Sequence, residues 1–201
     1  LGQVQYYEAV IFNENNKIAM TYNNEGNFYR FKYDSRGRLV CEEKNYRQSL
    51  YDAELAELIS CGGFEPAANI ALPKMNLSDN EYYEINNICR LMDVKFNPVD
   101  LKEVWTIEYD YTLTGSLKQK KSPLGTIVYE YDEKDRPVKK HTTETNDFGI
   151  TYCWNDSDTL ELEQSQYYTK KYEFDSNNKR PVRIKKTDYQ NQTEELIEYD
   201  Y

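Results

Sequence analysis

The stretch Tyr129-Glu130-Tyr131-Asp132-Glu133-Lys134-Asp135-Arg136-Pro137-Val138 decides the fold. Two aromatic residues one position apart share a face of an extended strand, because side chains alternate with a period of two. Glu130 between them then points to the opposite face. Asp132 closes the strand and can accept hydrogen bonds from amides two residues on, which starts a turn. Pro137 stands where a returning strand begins, a sheet position that tolerates a missing amide. The stretch predicts a β-hairpin.

The pattern recurs as Phe31-Lys32-Tyr33-Asp34, Ile107-Glu108-Tyr109-Asp110, Tyr172-Glu173-Phe174-Asp175 and Ile197-Glu198-Tyr199-Asp200. Val10-Ile11-Phe12-Asn13 and Tyr152-Cys153-Trp154-Asn155 are degenerate copies with Asn in place of Asp. Beyond the acid come a polar turn, a basic residue, and Leu or Pro before Val, as in Gly37-Arg38-Leu39-Val40 and Lys179-Arg180-Pro181-Val182. Gly37 and Asn178 suit the left-handed backbone of a tight turn. From Asp110 the copies advance by roughly twenty to twenty-five residues, the length of a hairpin and its connection. The expected fold is mainly β: antiparallel hairpin repeats in a twisted, extended or spiralling sheet. It uses many of the 20 tyrosines as an aromatic ladder on one face. Cross-strand aromatic pairs contribute about 0.2–1 kcal/mol each. The other face is expected to set glutamates opposite lysines.

Between Asp34 and Asp110 the period lapses. Tyr46, Leu50, Ala53, Leu55, Ala56, Leu58 and Ile59 fall at helical spacing over 45–60, and Gly62-Gly63 is a stop. A second helix is expected over 79–92, with Ser78 or Asp79 as N-cap and Tyr82, Ile85, Ile88, Cys89 and Met92 along one stripe. Pro66, Pro73 and Pro98 punctuate the connections. The organisation is thus 1–44 as N-terminal hairpins, 45–100 as a two-helix insertion or cap on one face or end of the sheet, and 101–201 as C-terminal hairpins, in one continuous domain.

A net charge of −10 argues against nucleic acid or an anionic membrane as a general partner. The basic runs Lys118-Gln119-Lys120-Lys121, Lys139-Lys140, Lys170-Lys171 and Lys185-Lys186 are each flanked by acids and are expected on a charge-paired surface. No apolar run reaches the length of a membrane span. Cys41, Cys61, Cys89 and Cys153 form no C-x-x-C pair and His141 is the single histidine, so a common zinc site is disfavoured. One or two disulfides and four buried thiols both remain open.

Cys61-Gly62-Gly63 with His141 could be read as a thiol and its base, but a small hydrophobe at a helix end accounts for Cys61 without catalysis. Asn155-Asp156-Ser157-Asp158 resembles the start of a calcium loop, yet it lacks the glycine and terminal glutamate and falls where the repeat places a turn. Trp105, Trp154 and the pairs Tyr6-Tyr7, Tyr82-Tyr83 and Tyr167-Tyr168 are expected mainly in sheet packing, with exposed aromatic platforms for a protein or carbohydrate ligand as the alternative. No catalytic, cofactor-binding or metal-binding residue is assigned, and the ligand-binding residues are unassigned.

The segments Tyr129-Glu130-Tyr131-Asp132…Arg136-Pro137-Val138 and Phe31-Lys32-Tyr33-Asp34…Gly37-Arg38-Leu39-Val40 resemble the YD repeat of RHS-type bacterial proteins. That resemblance spans about two thirds of the chain. It implies an exported bacterial protein, periplasmic, outer-membrane-anchored or extracellular, with a binding or enclosing role; no cofactor is expected. The few copies, the helical insertion and the prolines make the chain look more like the small YD-repeat-like secreted proteins or lipoproteins of Bacteroidetes. An upstream lipid anchor is compatible with that. The expectation is a non-catalytic binding or structural module. The alternative is a glycan hydrolase or hydrolase accessory with its site where helix meets sheet.

Overall fold

The computed structural model describes residues 8–23, 26–45, 47–63, 70–74, 76–91, 103–143, 148–175 and 180–200. Tyr6, Tyr7, Tyr46, Pro66, Met92, Pro98 and residues 176–179, where the sequence places a turn, lie outside them. Thirteen strands and two helices form among the described residues, and the fold is mainly β. The chain divides into two compact units, residues 1–52 with 67–109 and residues 53–66 with 110–201.

In the first unit, β1 (Glu8–Phe12), β2 (Ile18–Asn23), β3 (Phe28–Tyr33), β4 (Leu39–Asn45) and β5 (Val104–Tyr111) follow in sheet order as in sequence. The last residues of β5 belong to the second unit. That unit continues with β6 (Leu117–Ser122), β7 (Gly125–Tyr131), β8 (Pro137–Thr142), β9 (Ile150–Trp154), β10 (Leu160–Gln164), β11 (Tyr168–Phe174), β12 (Pro181–Asp188) and β13 (Thr193–Glu198), again in sequence order. Helix α1 (Gln48–Ser60) and helix α2 (Asp79–Leu91) occupy the two predicted helical intervals.

The signature turns share one construction. The first residue's amide donates to the fifth residue's carbonyl, and the fourth residue's amide donates back to the first carbonyl, in the turns beginning at Asn13, Asp34, Thr112, Asp132 and Asn155. The first side chain locks the loop: Asp132 Oδ1 accepts from Lys134 N at 2.9 Å and Arg136 N at 3.0 Å, and Asp34 Oδ1 accepts from Arg36 and Arg38 amides at 2.9 Å each. Asn13 and Asn155 do the same, so the degenerate copies are structurally complete. The fourth residue takes a positive φ: Asn16 57°, Gly37 76°, Gly115 107°, Asp135 61° and Asp158 60°. Only glycine adopts this conformation freely, with Asn and Asp the most tolerant others, and these are the residue types found.

After the turn, the returning strand carries one extra residue. The register slips at Ile11/Phe12, Lys32/Tyr33, Glu130/Tyr131, Leu160/Leu162 and Glu173/Phe174, leaving Ala19, Val40, Val138, Glu161 and Val182 as the bulged residues. The recurring Leu-Val or Pro-Val pair is therefore a β-bulge, which adds local twist. Pro137 and Pro181 open their strands as expected.

One repeat is set differently from the reading by motif. Asp110 lies inside β5, and the turn starts two residues later at Thr112, whose Oγ1 accepts from the Gly115 and Ser116 amides at 3.2 and 3.0 Å. The repeat head is thus Tyr109-Asp110-Tyr111-Thr112. A two-residue shift returns every side chain to the same face, so the pattern of aromatics still fits.

In the first unit the buried core is Met20, Tyr22 and Phe28 of the sheet with Ile85 and Cys89 of α2. Ser78 caps α2: its Oγ accepts from Glu81 N at 3.3 Å while Glu81 Oε2 accepts from Ser78 N at 2.7 Å, a reciprocal capping box. The aromatics Tyr29, Phe31 and Trp105 sit on the opposite face, where Tyr51 of α1 meets Trp105 edge-on at 6.3 Å. Within this unit Tyr51 of α1 and the apolar residues of α2 therefore bear on opposite faces of the sheet. In the second unit α1 ends on Gly62, with φ 85° and Phe148 Cβ 2.6 Å from where a Cβ would stand. Glycine is required there.

Candidate functional site: the aromatic face and its charges

Residues directly opposite in antiparallel strands share a face. In the second unit this places Lys118 and Lys120, then Tyr129 and Tyr131, Lys140, Tyr152 and Trp154, Glu163, and Tyr168, Lys170 and Tyr172 on one aromatic face. The expected glutamate–base pairing across the other face occurs at Glu130↔Lys139 and Glu173↔Arg183. Lys120, Lys140, Lys170 and Lys186, however, lie among the tyrosines. Lysine stems are apolar and cover ring faces while the ammonium seeks a carboxylate, so both can share the aromatic side. Lys140 Nζ is 5.5 Å from the Tyr129 ring centroid and Lys170 Nζ is 4.9 Å from that of Tyr168.

Carboxylates at two places organise this face. Glu57, on α1, accepts from Lys120 at 2.5 Å and from Lys140 at 2.7 Å, and Glu54 accepts from Lys120 at 2.9 Å. Burial pushes the Glu57 carboxyl up, but both lysines outweigh it and hold it below the ordinary carboxylate range. Burial likewise raises the Tyr129 hydroxyl well above its usual value and pushes Tyr152 up to about 12. Farther along, Glu163 accepts from Tyr172 Oη at 3.0 Å and Lys170 Nζ at 3.1 Å, and also from the Tyr168 hydroxyl. Burial opposes its ionisation, yet these donors keep the carboxyl low.

Successive repeats interlock at their turn ends. The second signature aromatic donates to the carbonyl of the first residue of the preceding returning strand: Tyr33 to Ile18 at 2.9 Å, Tyr131 to Leu117 at 2.6 Å, and Trp154 Nε1 to Pro137 at 2.7 Å. The fifth turn residue reaches forward to the next turn's fourth. Lys17 donates to Gly37 O at 2.7 Å, Ser116 to Asp135 at 2.6 Å, and Arg136 to Asp158 at 2.6 Å.

Among the described residues, a surface groove lies along these turn ends in each unit. The first, about 420 Å³, is lined by the Asn13 turn with Phe31 and Tyr33. The second, about 380 Å³, is lined by the Asn155 turn with Tyr172 and Phe174. Equivalent repeat positions build both, a correspondence that becomes visible only once the turns are aligned in space.

Other candidates from the sequence separate. The Cys61 thiol is buried, and burial raises it, with Lys140 opposing. His141 points to the other face, its Nε2 2.8 Å from Glu130 Oε1 and its Nδ1 2.9 Å from Thr142 O. Adjacent strand residues face opposite ways, so Lys140 and His141 cannot both meet Cys61. All of Cys41, Cys61, Cys89 and Cys153 are free thiols. Asn155 begins a turn, and Asp158 at its tip binds Lys134 at 2.7 Å and Arg136. Trp105 is fully buried and Trp154 is half-buried, whereas Tyr82 and Tyr83 are exposed on α2. The glutamates of α1 were missed by the sequence reading; the i,i+3 spacing of Glu54 and Glu57 was the available signal.

No family model matches the chain, and no curated protein does. Solved structures do. A crystal structure of TcdB2-TccC3 aligns over 96% of this chain at 13% identity with a TM-score of 0.50. The fold is shared. The Photorhabdus luminescens Tc holotoxin pore carrying the TccC3 D651A mutation aligns over 95% of the chain at 14% identity with a TM-score of 0.41. The chain spans 8% and 9% of those chains. The shared β-rich fold fits the YD-repeat resemblance.

Proposed function

We propose that this chain is a non-catalytic, exported repeat module, acting at the bacterial surface or in the periplasm as a binding or structural element, with the aromatic face as its working surface. The observation that carries this reading is the engagement of the junction carboxylates. A glycosidase needs one carboxyl that keeps its proton near neutral pH. Glu54 and Glu57 stand where α1 meets the sheet, but lysines pair both, and Glu57 is held below the ordinary range. These residues hold the helix on the sheet, and the tyrosine-rich surface beyond them is left to meet a protein or carbohydrate. Incubation of the full chain with a polysaccharide panel is expected to release no reducing ends. Sustained hydrolysis that is lost in Glu57→Gln would overturn the reading in favour of the hydrolase. Fractionation of the source bacterium tests export: the protein is expected outside the cytoplasm, and a purely cytoplasmic pool would refute that part.

A further inference from the structure

The repeat supplies its own template for what each turn-end groove holds. In the first unit Lys17, fifth in its turn, places Nζ 5.2 Å from the Tyr33 ring centroid. In the second unit Arg136, fifth in its turn, stands 5.5 Å from the Trp154 ring. In these two repeats a cation thus covers the second aromatic of the next, whereas the Thr112 turn carries Ser116 at this place. At the Asn155 turn the fifth residue is Thr159, and the second aromatic of the next strand is Phe174. The bulge position changes with it. Ala19, Val40, Val138 and Val182 are apolar, whereas Glu161 occupies that position here and lines the groove together with Tyr172. The first groove counts Lys17, Lys32 and Arg36 among its lining residues, while none of the described residues lining the second is basic. One cation has been withdrawn and one carboxylate added, around an aromatic ring.

We propose that the groove between the Asn155 turn and β11 takes an arginine side chain presented by a partner polypeptide, its guanidinium over Phe174 and paired with Glu161. The guanidinium is chosen because Arg136 over Trp154, held by Asp158, shows the arrangement in the neighbouring repeat. A planar guanidinium can stack on a ring and bind a carboxylate at once. A volume of about 380 Å³ accommodates a side chain with its backbone, and a net charge of −10 attracts a basic partner. The inference rests on the reading of the aromatic face as a binding surface.

The test is titration of the isotope-labelled full chain with an acetylated, amidated Gly-Arg-Gly peptide, followed by amide shifts. Saturable shifts are expected at Tyr172 and Phe174. Glu161→Gln, or citrulline in place of arginine, should weaken binding about tenfold, as for one lost charge-assisted contact. Thr159→Arg restores the missing cation in cis; it should abolish the shifts and raise the melting temperature. Absence of saturable shifts in the parent chain, or undiminished binding to Glu161→Gln or to folded Thr159→Arg, would overturn the proposal. Failure here leaves the hydrolysis and fractionation results untouched, so the two readings fail separately.

Discussion

The two units hold their helices by opposite chemistry. In the first, α2 presses Ile85 and Cys89 into Met20, Tyr22 and Phe28, with the Arg30 guanidinium bridging Glu43 of β4 and Glu81 of the helix at the margin. In the second, the α1 residues that meet the sheet include Glu54 and Glu57, gripped by Lys120 and Lys140, with Leu58 as the buried apolar anchor. An apolar seat is indifferent to pH and salt, whereas a charged seat depends on both partners keeping their charge. The same sheet design therefore carries one seat that is apolar at its centre with its ion pairs at the margin, and one whose centre is charged and titrates.

The sharpest way to break this contrast is Phe28→Ala. Removing a fully buried ring should cost about 3–5 kcal/mol in urea unfolding, with an effect nearly flat between neutral and mildly acidic pH. Glu57→Gln should cost about 2 kcal/mol at neutral pH, because two half-buried lysines lose a counter-charge. Its penalty should shrink in acid. The folded Glu57 carboxyl lies below its unfolded value, so its contribution is present above the unfolded pKa of about 4.3 and is lost as pH falls. An acid-unfolding profile no shallower for Glu57→Gln than for the parent chain would contradict the charged seat. Tyr131→Ala should cost about 2 kcal/mol and Glu130→Ala under about 1 kcal/mol, since the tyrosine joins strands and the glutamate is half in solvent. Equal urea midpoints for the two would remove the aromatic ladder as the source of stability. Smallest is Arg136→Gln, at about 0.5–1 kcal/mol and reduced by added salt, reporting the interlock between neighbouring turns.

The turns were legible because their chemistry is local: Asp34, Asp132 and even Asn13 and Asn155 bind amides within their own loops. The start at Thr112 was hidden because a hydroxyl can replace a carboxylate as acceptor, and Asp110 offered a better match two residues early. Helix α2 was legible through its apolar stripe, although Tyr82 on that stripe is exposed. In α1, Ala53 and Ala56 are exposed and Glu54 and Glu57 face the sheet, so hydrophobic spacing located the helix but misjudged its inner side. The grooves could not be read from the chain. They arise between a turn and the strand after the next one, where the bulged Glu161 and Tyr172 line the same groove.

The shift from Asp110 to Thr112 bears on how such chains change length. A hairpin lengthened by a pair of residues keeps its rings and carboxylates on their own sides, while a single inserted residue exchanges them. Spacers in this architecture should therefore drift in even steps over evolutionary time, and odd changes should survive where a bulge absorbs the surplus. The uneven distance between successive signatures is then a record of permitted insertions, and the same parity marks where foreign residue pairs can be grafted without disturbing the sheet.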